Sequence, residues 1–250
     1  MGKLTGIIKF QGTFDGLTFY KSPDGYLVKT KSGVSKNRIM TDPAYVRTRE
    51  NLSEFSLNAK SGKALRQSIS PLLHRAKDSK LSSRMLKLMH TIKNLDHTSV
   101  RGERLVRLGL DSAEGKLLLK GFDFNIQAPL SSVLHAGYSV DLATGVLRIP
   151  DLIPLEQLGI PEGATHVSFS AAFVNLDFET GVFDSRYSPA VILELDNTIS
   201  TIILTPEAVP TGTGTRMYLL LIEFFQEVNG VQYSLRNGAF NVMNVVEVGG

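Results

Sequence analysis

Residues 216–236, RMYLLLIEFFQEVNGVQYSLR, decide the fold class of this chain. Met217–Phe225 is its longest apolar run, broken only at Glu223. It is far short of the about 20 residues that span a bilayer, and it suits a buried strand. Asn229-Gly230 follows, the strongest two-residue hairpin signal because both positions tolerate positive φ. Val231–Arg236 is then the returning strand.

Outward from this hairpin, everything after about Gly121 has the same character. Val167–Phe178, Val182–Tyr187, Ala190–Leu195, Ile199–Thr205 and Phe240–Val248 are short runs rich in Val, Ile, Phe and Tyr. Thr144-Gly145, Thr180-Gly181 and Asn237-Gly238 supply further turns. With Tyr138–Ala143 and Val146–Ile149 this makes about nine strands, the count and spacing of an immunoglobulin-like antiparallel β-sandwich. The chain has no Cys and no Trp, so the antibody-type core signature is missing and only the architecture is expected. No internal repeat stands out.

The N-terminal part reads differently. Ile8, Phe10 and Phe14 alternate with polar residues, and Asp15-Gly16 and Ser22-Pro23-Asp24-Gly25 are turns, which predicts a β-meander over the first 33 residues. Residues 34–41 read as a basic connector. Asp42-Pro43 opens a helix, with Asp42 as cap and Pro43 at the first helical position. Leu52, Phe55, Ala59, Gly62 and Ile69 fall near one face of it. Ser70-Pro71 interrupts it. A second helix covers about Asp78–Leu95, with the stripe Leu81, Met85, Leu88, Ile92, Leu95. The two form a helical hairpin, and residues 97–120 are left ambiguous. The predicted fold is α+β: N-terminal β-meander and helical hairpin, then the sandwich.

GLTFYKSPDGYLVKTK (Gly16–Lys31), TDPAYVRTRENLSEFS (Thr41–Ser56), AKSGKALRQSI (Ala59–Ile69) and LLKGFDFN (Leu118–Asn125) form a pattern that resembles a family of uncharacterised bacterial proteins of about this length. The resemblance covers nearly half the chain. It implies no activity and no site residue. What it implies is similarity to proteins of mobile-element or phage-like neighbourhoods.

Charge is unevenly distributed. Residues 1–107 carry 21 Lys and Arg against 8 Asp and Glu, and residues 108–250 carry 6 against 16. A formal +13 therefore faces a formal −10 within a net charge of +3. These spans are the expected domains: a basic meander plus hairpin, and an acidic sandwich. A charge split speaks to association and partners rather than to fold.

Catalytic signatures are missing. AKSGKAL (Ala59–Leu65) imitates a phosphate loop, but Leu57 stands where Gly is needed, Ala64 where Ser or Thr is needed, and the segment is helical. His74, His90, His97, His135 and His166 show no zinc spacing. Asp177, Glu179 and Asp184 cluster at a hairpin tip, where a solvated acidic turn is the simpler reading than calcium. No G-x-S-x-G elbow occurs, and without cysteine there is no thiolate nucleophile or disulfide. No enzyme activity, cofactor or metal is expected. MGKLTGIIKF lacks the apolar stretch of a secretory signal, so a cytoplasmic or virion-like location is expected.

The basic interaction surface is the functional candidate: Lys29, Lys31, Arg38, Arg47, Arg49, Lys60, Lys63, Arg66, Lys80, Arg84 and Lys87. It could neutralise phosphates, or match the acidic half of another subunit. The second is the leading expectation: a non-enzymatic structural protein that self-associates or docks into a larger, phage-like particle. The alternatives are a nucleic-acid-binding protein using the basic helices, and a ligand- or carbohydrate-binding sandwich, disfavoured by the lack of Trp.

Overall fold

Asp15-Gly16 turns the N-terminal chain through a tight hairpin in which both residues have positive φ, 45° and 73°, as a type I′ turn requires. The computed structural model describes the chain apart from residues 1, 4–5, 7–9, 31–32, 77 and 250 and the side chains of residues 236 and 237. Ile8, Lys31, Lys77 and the Asn237 side chain therefore lie outside the described residues. The chain divides into two compact units, residues 1–49 and 50–250.

Unit 1 holds strands β1 (Gly2–Lys3), β2 (Gly12–Phe14), β3 (Leu17–Ser22) and β4 (Gly25–Thr30), paired antiparallel in the order β1-β4-β3-β2. The predicted meander is present. Its alternation does not produce a core, however. No described residue of these strands is buried, and Phe10 and Phe14 are exposed. Helix α1 (Lys36–Thr41) occupies the predicted connector, because the Ser35 hydroxyl accepts a hydrogen bond from the Arg38 amide. Asp42 caps a 3₁₀ turn over Pro43–Tyr45 by accepting from Ala44 N at 2.9 Å. Helix α2 (Val46–Ser68) follows directly.

Unit 2 takes in the rest of α2, then α3 (Ser70–Leu73), α4 (Leu81–Lys93), α5 (Val106–Leu110), α6 (Ala113–Leu119) and α7 (Leu130–Val133). Strands β5 (Ser139–Val140) and β6 (Leu147–Leu152), helix α8 (Pro154–Gln157), and β7 (His166–Leu176), β8 (Phe183–Tyr187), β9 (Val191–Glu194), β10 (Ser200–Leu204), β11 (Thr215–Val228), β12 (Val231–Ser234) and β13 (Val242–Gly249) complete it. Residues 97–120, ambiguous in sequence, contain the short helices α5 and α6.

The opening stretch is the axis of the sheet. β11 pairs with β7 from Thr215 to Phe225. On its other edge β13 and β12 follow one another, and on the far edge of β7 stand β8 and β9. All pairings are antiparallel, and the sheet curls into a half-barrel. A separate three-stranded sheet has the order β10-β6-β5.

Strand alternation gives the curled sheet two buried faces. Val174, Leu219, Leu221 and Val245 share one core with Leu65, Ile69, Met85, Met89 and Phe124 from the helical layer. Phe169, Phe173, Leu220 and Ile222 share another with Ile149, Leu152, Ile202 and Leu204 from the smaller sheet. The nine predicted strands are all present, but the curled sheet lies between a helical layer and a small sheet. These pairings do not display an immunoglobulin-like sandwich. A domain boundary at 107 would cut the first core, since residues 65–92 and 217–248 both build it.

One local pattern was missed in sequence. Asp141–Val146 and Asp177–Val182 both read Asp-x-x-Thr-Gly-Val. In each, the Asp carboxylate accepts from the amide two residues on and from the Thr hydroxyl, and the Val amide donates to the Thr oxygen. The same six-residue turn is used twice.

Candidate interaction surface

The ten described members of the predicted basic surface have different duties. In unit 1, Lys29 is exposed on β4, 5.5 Å from the Tyr20 ring centroid. Arg38 pairs with Asp42 at 3.2 Å and lies over Tyr45. Arg47 is exposed, whereas Arg49 donates to the carbonyls of Ile39 (2.7 Å) and Asp42 (3.0 Å) and holds α1 in place.

In unit 2, Arg84 is structural. It pairs with Asp78, donates to the carbonyls of Asp123 and Phe124, and lies over the Phe122 ring. Burial acts to raise the Asp78 pKa, but bonds from the Ile126 amide and Arg84 outweigh it and hold the group below its ordinary value. Lys60, Lys63, Lys80 and Lys87 are exposed, and Arg66 is half-buried. Lys60, Lys63 and Arg66 stand on α2, Lys87 on α4 and Lys80 at the N-cap of α4; of the two carboxylates these helices carry, Glu50 pairs with Arg101 at 3.2 Å and Glu54 is withdrawn. Glu54 is buried against Lys93, Arg104 and the Gly102 amide. Burial alone would raise its pKa; hydrogen bonds from Arg104, Lys93 and Gly102 bring it to about 2. The outer surface of α2 and α4 thus keeps its positive charge.

Helix α2 is built inside out. Its predicted stripe is split: Gly62 and Ile69 are buried, but Ala59 is exposed, Leu52 is 53% exposed and Phe55 57% exposed. The buried face is Glu54, Asn58, Ser61, Gly62, Ala64, Leu65 and Ser68, at helical spacing, and four of the seven are polar. These polar groups dock the helix. The Ser61 hydroxyl donates to Phe178 O at 3.1 Å. Ser68 O accepts from the Ser185 hydroxyl (2.7 Å) and the Tyr187 hydroxyl (3.1 Å). Asn58 differs: it is 1% exposed, and its Oδ1 is a buried acceptor with no hydrogen-bond partner among the described residues.

Asn58 lines a groove of about 180 Å³ between α2 and α4, with Ala59, Gly62, Arg66, Ser82 and Leu86. Gly62 brings the helices close, since a Cβ there would meet Met85 Cγ at 3.0 Å. A second depression, about 380 Å³, continues from Arg66 and Ser82 past Lys63 and His74. Sequence reasoning identified the cations of this groove and missed its floor, because a polar residue at a buried helical position carries no apolar signal.

The acidic tip has no site geometry. Asp177 is engaged in its turn, Glu179 pairs with Arg107 at 2.9 Å, and Asp184 accepts from Thr211 and pairs with Arg186. Two open depressions of about 410 and 520 Å³ meet at Thr213, Gly214 and Gly249. The loop between them is fixed by Asn175, which bonds Gly212 O and Gly214 N. No group of three or more His, Cys, Asp or Glu that could hold a metal occurs among the described residues, and no helix there is long and apolar enough to cross a membrane.

Comparison of the chain with protein-family models, with curated proteins and with solved structures finds no match.

Proposed function

We propose that this protein is a non-enzymatic assembly subunit that associates with its own copies, or docks into a larger phage-like particle, through the outer surface of α2 and α4. The observation that carries this reading is the pairing of exposed Leu52 and Phe55 with Lys60, Lys63 and Lys87 on helices whose two carboxylates are engaged elsewhere, Glu54 buried against Lys93 and Arg104 and Glu50 paired with Arg101. Apolar area supplies association energy, and the uncompensated charge selects an acidic partner.

Nucleic-acid binding is the second reading, favoured by the same cations. A phosphate backbone satisfies Lys60, Lys63 and Lys87 but gives Leu52 and Phe55 nothing to bury against. For that reason a protein surface ranks first.

Size-exclusion chromatography with light scattering, at low and high salt and with and without nuclease, tests the proposal. The expected result is a discrete oligomer free of nucleic acid that loosens as salt screens the charges. A monomer carrying nuclease-sensitive absorbance at 260 nm would give the function to the second reading.

A further inference from the structure

The groove over Asn58 carries three independent observations: an orphaned buried acceptor, a flanking apolar stripe, and a one-signed rim. The acceptor is Asn58 Oδ1. A buried carbonyl oxygen left without a donor costs free energy that a partner supplying an N–H recovers. The stripe is Leu52, Phe55 and Ala59, and the rim is Lys60, Lys63, Arg66 and Lys87.

This surface does not suit a two-fold contact with itself. An isologous interface places a patch against the same patch, and here that would bring the rim cations together. The complementary surface must be acidic, with apolar side chains of its own.

The chain carries one. Residues 187–215 contain no Lys or Arg. Within them, β9 lies on the edge of the curled sheet, with Ile192 opposite Ser168 and Glu194 opposite His166. β11 continues the same face, with Phe225 also opposite His166. Strand alternation therefore puts Ile192, Glu194, His166 and Glu227 together. Ile192 and Glu194 are exposed, and Glu227 Oε2 lies 3.4 Å from His166 Nε2.

We infer that the α2–α4 groove of one copy receives the β9–β11 face of a second copy, with Lys60 and Lys63 meeting Glu194 and Glu227. This rests on the assembly reading above and specifies its two surfaces. Because they differ, the contact is heterologous, and repetition gives a ring or a filament.

The test is a charge exchange in the full chain, read by light scattering on nuclease-treated protein. Lys60→Glu/Lys63→Glu reverses the groove, and Glu194→Lys/Glu227→Lys reverses the sheet face. All four residues are exposed, and circular dichroism checks that both variants keep the native signal. Each variant alone is expected to fall to monomer mass, and an equimolar mixture to assemble again with the two variants alternating, at the wild-type mass if the ring has an even number of copies, since every contact is then between opposite charges. Asn58→Leu is expected to keep or raise the melting temperature while weakening association about fivefold, the equivalent of one hydrogen bond. Variants that assemble like wild type, or a mixture that stays monomeric, overturn the assignment of these surfaces and leave self-assembly standing. A monomeric wild-type protein overturns both.

Discussion

Glu54 of α2 and Lys93 of α4 face one another across the helical layer, 3% and 1% exposed. Arg104 reaches the same carboxylate with two donors, at 2.7 and 3.0 Å, and the Gly102 amide adds another at 2.9 Å. Each carboxylate oxygen is satisfied, which is the condition under which a buried charge is tolerated. The cluster fixes α2 against α4 at the end far from Gly62.

Removing one side of this cluster strands the other. Glu54→Ala is expected to cost about 3–5 kcal/mol, because Lys93 stays buried without its partner. The double change Glu54→Leu/Lys93→Met should cost less than Glu54→Ala, because no unpaired ammonium is left buried, while Arg104 and the Gly102 amide still lose their acceptor. Urea unfolding of the single and double variants measures both.

Acid should find the same cluster. The Glu54 pKa is lowered from 4.5 to about 2 in the folded chain. A depressed carboxylate contributes stability that is present above the unfolded value and is lost as pH falls through the folded one. Stability should therefore decline between pH 4.5 and 2. The gap in urea midpoint between wild type and Glu54→Gln should narrow over that window.

Glu223 behaves in the opposite sense. It is buried on the helix-facing side of β11, and Arg75 bonds it at 2.7 Å. Burial raises its pKa, and Arg75 offsets part of the rise. Without Arg75 the folded chain holds the proton more firmly, so stability is present at low pH and lost as pH rises. Arg75→Ala should cost about 1–3 kcal/mol at pH 7 and noticeably less at pH 5. In a Glu223→Gln background that pH dependence should vanish.

Gly109 is a spacing requirement. A Cβ there would stand 2.1 Å from Ile92 O, and one at Gly115 would stand 2.0 Å from Gly109 O. Both obstacles are backbone, so neither site can relax by moving a side chain. Gly109→Ala and Gly115→Ala should each cost about 3 kcal/mol, the upper end of overpacking, with thermal unfolding as the readout.

Unit 1 should not fold alone. A four-stranded sheet whose described residues include none that is buried lacks the apolar cover that independent stability needs. A peptide of residues 1–49 is expected to show no cooperative melt by circular dichroism. A sigmoidal melt would show a source of cohesion other than burial.

The strands were legible in sequence because β11 is continuous and apolar and Asn229-Gly230 closes its hairpin with positive φ at both residues, 55° and 76°. Their partners were harder to foresee. Nothing in Phe169 or Phe173 distinguishes the side that meets a small sheet from the side that meets helices. Helix α2 misled for a physical reason: the amphipathic rule assigns Leu52 and Phe55 to the core, but Glu54, Ser61 and Ser68 make directed bonds that periodicity does not register. α5 and α6 were hidden because Gly109 and Gly115, poor helix formers, are there for close approach. The lysines of the groove were read directly from the sequence, whereas Asn58 needed three-dimensional accounting of its acceptor.

The segment 121–124 bonds to β13, with Gly121 N on Val245 O at 2.7 Å and Phe124 N on Met243 O at 2.8 Å. During synthesis the helices therefore leave the ribosome long before the strand that completes their core. At about 5–20 residues per second, that interval is on the order of ten seconds. For that time Leu119 and Phe124 have no lasting cover. A nascent chain stopped short of Val242 should be a substrate for chaperones and proteases, so premature termination late in the message leads to clearance rather than to a slightly shortened protein.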